Sequence, residues 1–241
     1  KRKIMVSVCI ATYNGEKYIR EQLTSIINQL SEDDEVIISD DNSSDNTISI
    51  INEFIEKDKR IKLIKGPCLG VIKNFENAIS NCKNDYFFLS DQDDIWHDNK
   101  IESVLSCFEK TKADLILHNA DIMQNGEISN QTFFEKRGVK KGIKNNILKN
   151  SYIGCCMAFK ADMKKYVLPF PENLPMHDQW IGIICEKYGK VEFIDTPLIT
   201  YRRHDNNASA ETHSSVFRML KWRLNLISAF NKRSKKIKRD I

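Results

Sequence analysis

The sequence of 241 residues lacks several features that would place it in a common class of protein. Its apolar runs extend over only a few residues, so no segment is predicted to span a membrane. No glycine-rich dinucleotide fingerprint follows the first predicted strand, and there is no Walker P-loop. These absences argue against a dehydrogenase and an NTPase. They also argue against a processive polysaccharide synthase, which needs membrane-spanning helices to export its product.

Targeting signals and paired cysteines are missing as well. The basic residues Lys1, Arg2 and Lys3 lead directly into a short predicted strand, so we expect no signal peptide. The seven cysteines are scattered, odd in number and without a CxxC pair, and most of them lie in apolar patterns. They are therefore expected to be reduced core residues of a cytosolic protein.

The first half of the chain alternates short apolar runs with helical patterns. The predicted strands are Ile4–Ile10, Val36–Ser39, Ile61–Ile64, Tyr86–Leu89 and Leu115–His118. Asn14 is predicted to cap the first helix, and Thr47 to open the second. Repeated β-α units imply a parallel sheet with right-handed crossovers, which is an α/β fold of the nucleotide-binding type.

The second half is less regular. Asn125-Gly126 is typical of a hairpin turn, and a helix is predicted from His177 towards Gly189. The further predicted strands are Ile153–Phe159, Val191–Ile194 and Leu198–Tyr201.

Three acidic residues follow the fourth predicted strand within four positions. Side chains alternate along a strand, so Asp91 and Asp93 are predicted to point the same way, with Asp94 beside them. Like charges held together repel unless a cation lies between them. Mg²⁺ and Mn²⁺ prefer carboxylate oxygens, and ligands of open α/β sheets bind at the carboxyl ends of strands. The pattern favours a metal–diphosphate site over a solvated acidic turn.

A second polar run, from Asp40 to Thr47, directly follows the second predicted strand. A carboxylate there can accept a hydrogen bond from the ring N–H of uracil or thymine, or from ribose hydroxyls. The same composition suits an Asx turn with a helix N-cap. We expect Asp45 and Thr47 to shape this loop and Asp41 to be the ligand. The run lacks the glycine and the closing glutamate of an EF-hand, which excludes a calcium site of that kind.

Two later clusters are candidates for catalysis and for metal binding. Asp178 follows a proline loop and can be either a plain N-cap or the base that takes a proton from an attacking hydroxyl. Trp180 can stack on a sugar or fill the core. His204, beside Arg202 and Arg203, can complete a metal shell and clamp a diphosphate, or lie at a solvated strand end. Three other histidines are predicted to be structural or at the surface: His97, His118 and His213.

The segment 216–241 carries most of the local excess of positive charge, although the net charge of the chain is only +4. Phe217, Leu220, Leu224 and Ile227 recur at helical spacing with Lys and Arg opposite them, which predicts a basic amphipathic helix. Such a helix can lie on an anionic membrane surface, or pack on its own domain or a partner. Membrane contact is slightly favoured.

In order and spacing, these motifs resemble those of the family 2 glycosyltransferases with the GT-A fold. The matching segments of the first half are Val6–Asn14, Ile37–Thr47 and Ser90–Trp96. Three further segments are similar to a branch described as rhamnosyltransferase-like: Tyr152–Phe159, Met176–Asp178 and Tyr201–His204. The resemblance implies one Rossmann-like domain, residues 1–215, with a mostly parallel central sheet. Residues 1–120 would bind the nucleotide sugar, residues 121–215 would form the acceptor half, and residues 216–241 would be the helical tail.

The resemblance also implies roles on the donor side. Asp41 would bind the uracil or thymine base, and Ala11 and Tyr13 would line that pocket, although the family often has a hydroxyl residue where Ala11 stands. Asp91 and Asp93 would form the DXD motif. Asp93 would be the more direct ligand of Mn²⁺ or Mg²⁺, and Asp91 would lie nearer the ribose.

For the transfer itself, the resemblance implies inverting chemistry. Asp178 would deprotonate the acceptor hydroxyl, and His204 would help hold the metal or the diphosphate. His177, Trp180 and Gly154 would contact the acceptor.

The expected reaction moves one sugar from a UDP- or dTDP-sugar to a hydroxyl of a glycan or lipid-linked oligosaccharide, in capsule, O-antigen or similar bacterial surface polysaccharide synthesis. A cytoplasmic location is expected, with peripheral contact at the inner membrane face through the tail, and no nucleic-acid partner. A sugar nucleotidyltransferase is a second hypothesis, but Ala11–Gly15 lacks the glycine-rich, arginine-containing loop of that class. A non-catalytic nucleotide- or glycan-binding protein is a third, and Asp91, Asp93 and Asp178 argue against it.

Overall fold

The structure, a computed structural model, describes residues 3–204 and 216–240. The strands of this part of the chain are β1 (Val6–Thr12), β2 (Glu35–Asp40), β3 (Ile61–Lys65), β4 (Tyr86–Ser90), β5 (Ile95–Trp96), β6 (Leu115–Gln124), β7 (Glu127–Ile128), β8 (Met157–Lys160) and β9 (Val191–Arg203). The α-helices are α1 (Ile19–Ile27), α2 (Thr47–Lys57), α3 (Val71–Asn81), α4 (Lys100–Thr111), α5 (Phe133–Arg137), α6 (Ile143–Leu148), α7 (Lys164–Val167), α8 (His177–Tyr188) and α9 (Val216–Asp240). His213, predicted to be structural or at the surface, lies outside the described residues.

The first half forms the parallel sheet that the sequence predicts. The strands β3, β2, β1 and β4 lie side by side in that order, and every pairing among them is parallel. β1 and β2 are buried along their whole length, as expected for central strands of a sheet that is covered on both faces. Their carboxyl ends therefore meet at one edge of the sheet, where the polar runs begin.

The second half extends the same sheet with mixed pairings. β8 lies antiparallel between β4 and β6, and β9 runs parallel to β6. The short strand β5 pairs antiparallel with the far end of β9, where Ile95 lies opposite Thr200. Because β5 directly follows the acidic run, this pairing brings residues 91–94 against the end of β9. It thereby sets His204 beside the acids.

The prediction for the start of the first helix is wrong. Asn14 does not cap α1, which begins at Ile19. Asn14 has a left-handed φ of 49°, and its side-chain oxygen accepts a hydrogen bond from Ser44 N at 2.9 Å. An asparagine tolerates that backbone region and can bond a neighbouring loop. It fixes the loop after β1 to the loop after β2 instead of starting a helix.

The strand predictions in the second half are also partly wrong. The two runs predicted from Val191 to Tyr201 form the single strand β9, whose pairing with β6 shifts register after His118. Residues 154–156 form a 3-10 turn, so β8 begins at Met157. The helices α5 and α6 lie in a region for which no element was predicted. The hairpin is confirmed: Asn125 and Gly126 have φ of 54° and 83°, between the paired residues of β6 and β7.

The C-terminal helix α9 packs on the domain through a face other than the predicted apolar stripe. Leu226 is fully buried and Ile237 nearly so. The guanidinium of Arg233 donates to the carbonyl oxygens of Tyr166 and Leu168, the latter at 3.1 Å. The predicted stripe is exposed instead: Phe217, Leu220, Leu224 and Ile227. Among the described residues, no helix combines the length and apolar character needed to cross a bilayer.

Candidate active site

The candidate site lies where β1, β2 and β4 end. The register pairs Thr12 with Asp40 and Ile10 with Ser90, so the loops that follow these three strands emerge next to one another. In an open α/β sheet this edge is where ligands bind, because the chain leaves the sheet there and exposes backbone and side chains together. Of the donor-side residues predicted from the sequence, Ala11 lies near the end of β1, and the others lie on these loops: Tyr13, Asp41, Asp91 and Asp93.

The loop after β2 is shaped by hydrogen bonds of its own carboxylates. Asp40 is buried and accepts from Thr12 Oγ1 at 2.9 Å and from Ser43 N at 2.8 Å. Asp45 accepts from Thr47 N at 3.0 Å, and the Thr47 hydroxyl accepts in turn from Gly15 N at 2.7 Å. The prediction that Asp45 and Thr47 shape this loop is confirmed.

Asp41 differs from these residues because its partners come from a distant loop. Its two carboxylate oxygens accept from Cys68 N at 2.6 Å and from Gly70 N at 2.8 Å. Gly70 has a φ of 84°, which a side chain would strain, and this conformation turns its N–H towards Asp41. The carboxylate is thus held in a fixed orientation, and each oxygen keeps a lone pair for a further donor. Near it, Ala11 is buried and Tyr13 is exposed.

The acidic run after β4 folds differently from the predicted arrangement. The ligand atoms that come together, within 4.8 Å of one another, belong to Asp91, Asp94 and Cys155. Asp93 accepts instead from His204, whose Nε2 lies 2.9 Å from Asp93 Oδ2. The alternation argument does not hold here because β4 ends at Ser90 and the acids lie on a loop. The structure brings His204 to the acidic run, and its role in holding the metal or the diphosphate stays a prediction.

The carboxyl groups of this cluster all resist ionisation in the absence of a cation. Burial and, second to it, the charge of Asp93 raise the pKa of Asp94 to about 7. Burial, followed by the charges of Asp94, Asp93 and Asp178, raises the pKa of Asp91 well above its usual range. Burial also raises the pKa of Asp93, against the favourable charge of His204. A bound cation would therefore stabilise the ionised forms of these three carboxyl groups.

The cluster fits a divalent cation of the hard type. Asp94 Oδ2 is buried and has no hydrogen-bond partner among the described residues, so one carboxylate oxygen is left for a ligand. Mg²⁺ and Mn²⁺ take oxygen ligands of this kind. The Cys155 thiol is a neighbour rather than a ligand for such ions, because burial raises its pKa well above the usual value and keeps it protonated.

Aromatic and cationic side chains close one side of the cluster. The His204 ring stacks on Tyr18 with the ring centroids 4.7 Å apart. The Arg202 guanidinium lies 5.4 Å from the centroid of the same Tyr18 ring and forms an ion pair with Glu21. Arg202 N also donates to Asp94 Oδ1 at 3.1 Å. The end of β9 is therefore joined both to α1 and to the acidic run.

Asp178 lies at the start of α8 and is buried. Asn150 Nδ2 donates to Asp178 Oδ1 at 3.1 Å, and Gln179 N donates to the same oxygen. Burial raises the pKa of Asp178 to about 6, although these hydrogen bonds lower it. A carboxylate whose pKa lies slightly below neutrality is suited to accept a proton from a hydroxyl. Its charge also contributes to the raised pKa of Asp91.

The three residues predicted to contact the acceptor are buried. Trp180 is 0% exposed, and its Nε1 donates to Val167 O at 2.9 Å. The structure gives Trp180 the core role and not the sugar-stacking role. His177 is also buried and stacks on Phe75 with centroids 4.1 Å apart, and burial lowers its pKa to about 3. A side chain at Gly154 would meet His177 Nε2 at 2.7 Å, so Gly154 makes room for this imidazole.

Three residues that sequence reasoning missed support the site from beneath or beside it. Asn150 orients Asp178. Lys100 is fully buried, its Nζ donates to Cys155 O at 2.8 Å, and it lies 3.8 Å from the centroid of the Trp96 ring. Gln92, between the acids, bonds the backbone of Tyr13. A lysine at a helix start is usually on the surface, so the sequence offered no signal for Lys100. Gln92 was marked only by its position inside the acidic run.

The chain is similar to known proteins in both sequence and structure. A family model described as Glycosyl transferase family 2 matches residues 7–167. The dTDP-rhamnosyl transferase RfbG of Shigella flexneri is 31% identical over 216 residues, which are 82% of this chain and 72% of RfbG. The Escherichia coli protein UDP-Glc:alpha-D-GlcNAc-diphosphoundecaprenol beta-1,3-glucosyltransferase WfgD is 28% identical over 200 residues, with 76% of each chain covered.

Solved structures share the fold at lower identity. TarS 1–349 of S. aureus, in complex with UDP-GlcNAc, superposes with a TM-score of 0.73 at 19% identity, covering 93% of this chain and 66% of TarS 1–349. The mannosyltransferase PcManGT of Pyrobaculum calidifontis, in complex with GDP-Man and Mn²⁺, has a TM-score of 0.61 at 17% identity, covering 98% of this chain and 64% of PcManGT. The chain thus spans between about two thirds and three quarters of the length of these proteins.

Proposed function

We propose a specific reaction for this chain, which belongs to glycosyl transferase family 2 and has the GT-A fold. It transfers one sugar, with inversion, from a UDP- or dTDP-sugar to a hydroxyl of a glycan or lipid-linked oligosaccharide. The setting is bacterial surface polysaccharide synthesis. The names of RfbG and WfgD, a dTDP-rhamnosyl and a UDP-glucosyl transferase, support these two nucleotides.

One observation supports the proposal: Asp178 is a buried carboxylate with a pKa of about 6, and its charge acts on Asp91 of the acidic cluster. An attacking hydroxyl needs a base that is ionised at neutral pH and still able to hold a proton, which Asp178 satisfies. Asn150 and the N–H of Gln179 keep the carboxylate oriented. Asp178 therefore removes the proton from the acceptor hydroxyl as that oxygen attacks the anomeric carbon.

The residues that would hold Mn²⁺ or Mg²⁺ are Asp91, Asp93 and Asp94, together with His204. When bound, the cation supplies positive charge to the departing nucleoside diphosphate. His204 keeps Asp93 in place through its hydrogen bond and is itself fixed by stacking on Tyr18.

The donor nucleoside would bind across the ends of β1 and β2. Asp41, held by two backbone N–H groups, has lone pairs left for the ring N–H of a uracil or thymine. Ala11 and Tyr13 would form the wall of the same pocket. Guanine presents a different set of donors and acceptors, so GDP-sugars would bind less well.

Donor binding across UDP-, dTDP- and GDP-sugars, each with Mn²⁺ and with a chelator, tests the class. Cation-dependent binding of one UDP- or dTDP-sugar is the expected result, and hydrolysis of that donor would identify it. If no nucleotide sugar binds under any of these conditions, the proposed reaction is wrong. The non-catalytic alternative would then be the better one.

The acceptor side of the proposal depends on α9. This helix has two faces, because Leu226 packs on the domain while Phe217 and Leu224 remain 80% and 67% exposed. Residues 216–240 contain nine Lys and Arg and one acid, so the exposed apolar stripe lies in a strongly positive segment. An apolar stripe flanked by cations is suited to the surface of an anionic bilayer. We propose that it places the enzyme at the inner membrane face, where a lipid-linked acceptor would be reached.

Sedimentation with vesicles tests this placement. The protein is expected to bind vesicles rich in phosphatidylglycerol and to remain in solution with phosphatidylcholine alone. The double variant Leu220→Gln/Leu224→Gln should lose this binding, whereas Ile128→Gln, which alters an exposed isoleucine of β7, should keep it. Equal binding by both variants, or none by the wild type, would contradict the membrane proposal. If the wild type self-associates and the double variant does not, the exposed apolar stripe binds a second copy of the chain instead.

A further inference from the structure

Gln92 joins the acidic run to the loop after β1, two parts of the site that are proposed to bind the diphosphate and the nucleoside of the donor. Its Oε1 accepts from Tyr13 N at 2.9 Å, and its Nε2 donates to Tyr13 O at 3.0 Å. The side-chain amide of Gln92 thus binds both the backbone N–H and the backbone C=O of Tyr13. Gln92 itself lies between Asp91 and Asp93, so the same residue belongs to the acidic run.

Gly15 makes this contact sterically possible. A Cβ at position 15 would lie 2.4 Å from Gln92 Oε1 and 2.7 Å from its Cδ, and no other residue is among the atoms it would meet most closely. Gly15 is not in the left-handed region, so an alanine there would be tolerated by the backbone. What the glycine provides is space for the glutamine side chain.

The loop that Gln92 holds, residues 13–15, is hydrogen-bonded to the other elements of the proposed nucleoside pocket. Gly15 N donates to Thr47 Oγ1 at 2.7 Å, and Gly15 O accepts from Tyr18 N and Ile19 N, both at 3.0 Å. A shift of Tyr13 therefore cannot be absorbed by free movement of residues 13–15. It is passed on to the loop after β2 and to the start of α1.

We infer that Gln92 is a positioning residue that couples the acidic cluster to the nucleoside pocket, so that a divalent cation and the nucleoside strengthen each other's binding. The inference rests on the proposed function and adds to it a coupling within the protein. A cation that draws the 91–94 loop into one arrangement also fixes Gln92, and Gln92 then fixes the backbone of Tyr13 beside the base. Binding free energies are reciprocal, so the nucleoside must favour the cation by the same factor.

A nucleoside without phosphates separates this coupling from direct contact between metal and diphosphate. Uridine, or thymidine if dTDP binds better than UDP, lacks the diphosphate that the cation would neutralise. Its dissociation constant is measured by saturation-transfer NMR with and without Mg²⁺, which does not broaden the spectrum. In the wild type, Mg²⁺ is expected to tighten nucleoside binding by about fivefold or more, at the low end of typical coupling between sites.

Four variants test the residue. Gln92→Ala should reduce the effect of Mg²⁺ on the nucleoside to less than about twofold and raise the donor KM more than it lowers kcat. Gly15→Ala should do the same, because its methyl group displaces the Gln92 side chain. The double variant Gly15→Ala/Gln92→Ala should be no worse than Gln92→Ala alone, since the clash is gone. Gln29→Ala is the matched control: Gln29 also joins two elements, accepting from Ile101 N at 3.2 Å and donating to Ser25 O at 3.0 Å, but neither bond is to the loop after β1.

The outcomes separate the coupling from the proposed function. If the wild type binds UDP and its nucleoside but Mg²⁺ leaves the nucleoside unchanged, the coupling is refuted while the donor class stands. The coupling would also be refuted if Mg²⁺ tightened nucleoside binding as much in Gln92→Ala as in the wild type. It would equally be refuted if the losses of the two single variants added up in the double variant. If the wild type binds none of UDP, dTDP and their nucleosides, the proposed function fails and the coupling fails with it.

Discussion

Replacing Asp178 by asparagine should abolish transfer and, at the same time, make the protein more stable at neutral pH. The buried Asp178 has a pKa of about 6, whereas an aspartate in an unfolded chain has one of about 3.9. The difference of about two units corresponds to roughly 3 kcal/mol of unfolding free energy, since one unit is about 1.36 kcal/mol. Asparagine has nearly the same shape and no charge, so it removes this penalty. The figure is an upper value, because asparagine accepts fewer hydrogen bonds.

The sign of the effect depends on pH. Below about pH 4 the wild-type carboxyl is protonated in both the folded and the unfolded state, so the two proteins should be about equally stable. Between about pH 4 and 6 the unfolded chain loses its proton first, and the stability of the wild type falls as pH rises. Above pH 6 the full difference of up to about 3 kcal/mol should favour Asp178→Asn. Denaturant unfolding of both proteins at pH 4 and pH 7.5, without added metal, measures it.

The same variant is then assayed for transfer and for donor binding. Turnover should be lost while nucleotide-sugar binding stays nearly unchanged, because a base acts in the transition state. Asp45→Asn is the control of opposite sign. Burial opposes the shift, but hydrogen bonds from Thr47 lower the pKa of Asp45, so losing this carboxylate should destabilise the protein at neutral pH. Surviving turnover in Asp178→Asn would refute its role as base, and an unchanged stability at pH 7.5 would refute the buried, ionised carboxylate.

Three other predictions concern the wild type and the cluster. At saturating donor, kcat should rise about tenfold per pH unit below pH 6 and level off above it, since Asp178 must be ionised; a flat profile from pH 4.5 to 8 would mean that another group is the base. His204→Asn should weaken Mn²⁺ binding by about tenfold in calorimetry, because Asp93 loses the partner that orients it, and unchanged affinity would contradict that role. Lys100→Met should raise the unfolding free energy of the metal-free protein at pH 7 by up to about 3 kcal/mol, because burial lowers the pKa of Lys100 to about 8 and its charge is therefore unfavourable in the folded state; lower stability in urea would show that its hydrogen bond to Cys155 O outweighs this cost.

The first half of the fold could be predicted closely because its signals are local. The strands β1 to β4 are short apolar runs separated by segments with helical periodicity. Their parallel arrangement follows from the crossover connections that such β-α units require. The second half could not be predicted as well. β9 forms one strand from two apparent runs because it pairs with β6 across a register shift, and that pairing depends on residues more than seventy positions away.

The candidate site shows the same division. The sequence identified Asp41, Asp178 and His204 as polar residues at element ends, which is a local property. It did not show that Asp94 rather than Asp93 approaches Asp91, because a strand period was applied to residues that lie beyond the end of β4. Nor did it show which of two roles Trp180 has, since a tryptophan at the start of a helix suits either a sugar or the core.

By itself, then, the sequence determined the composition of the site: three acids after one strand, a polar loop after another, a carboxylate at a helix start and a histidine at a strand end. Backbone alternation and helix spacing act over a few residues, so these features can be recognised in order along the chain. Only the tertiary structure decided which of them meet, because the pairing of β5 with β9 brings His204 to Asp93, and burial by the folded chain raises the pKa of Asp178. Contacts between distant segments and the removal of water are properties of the packed chain, and no local pattern encodes them.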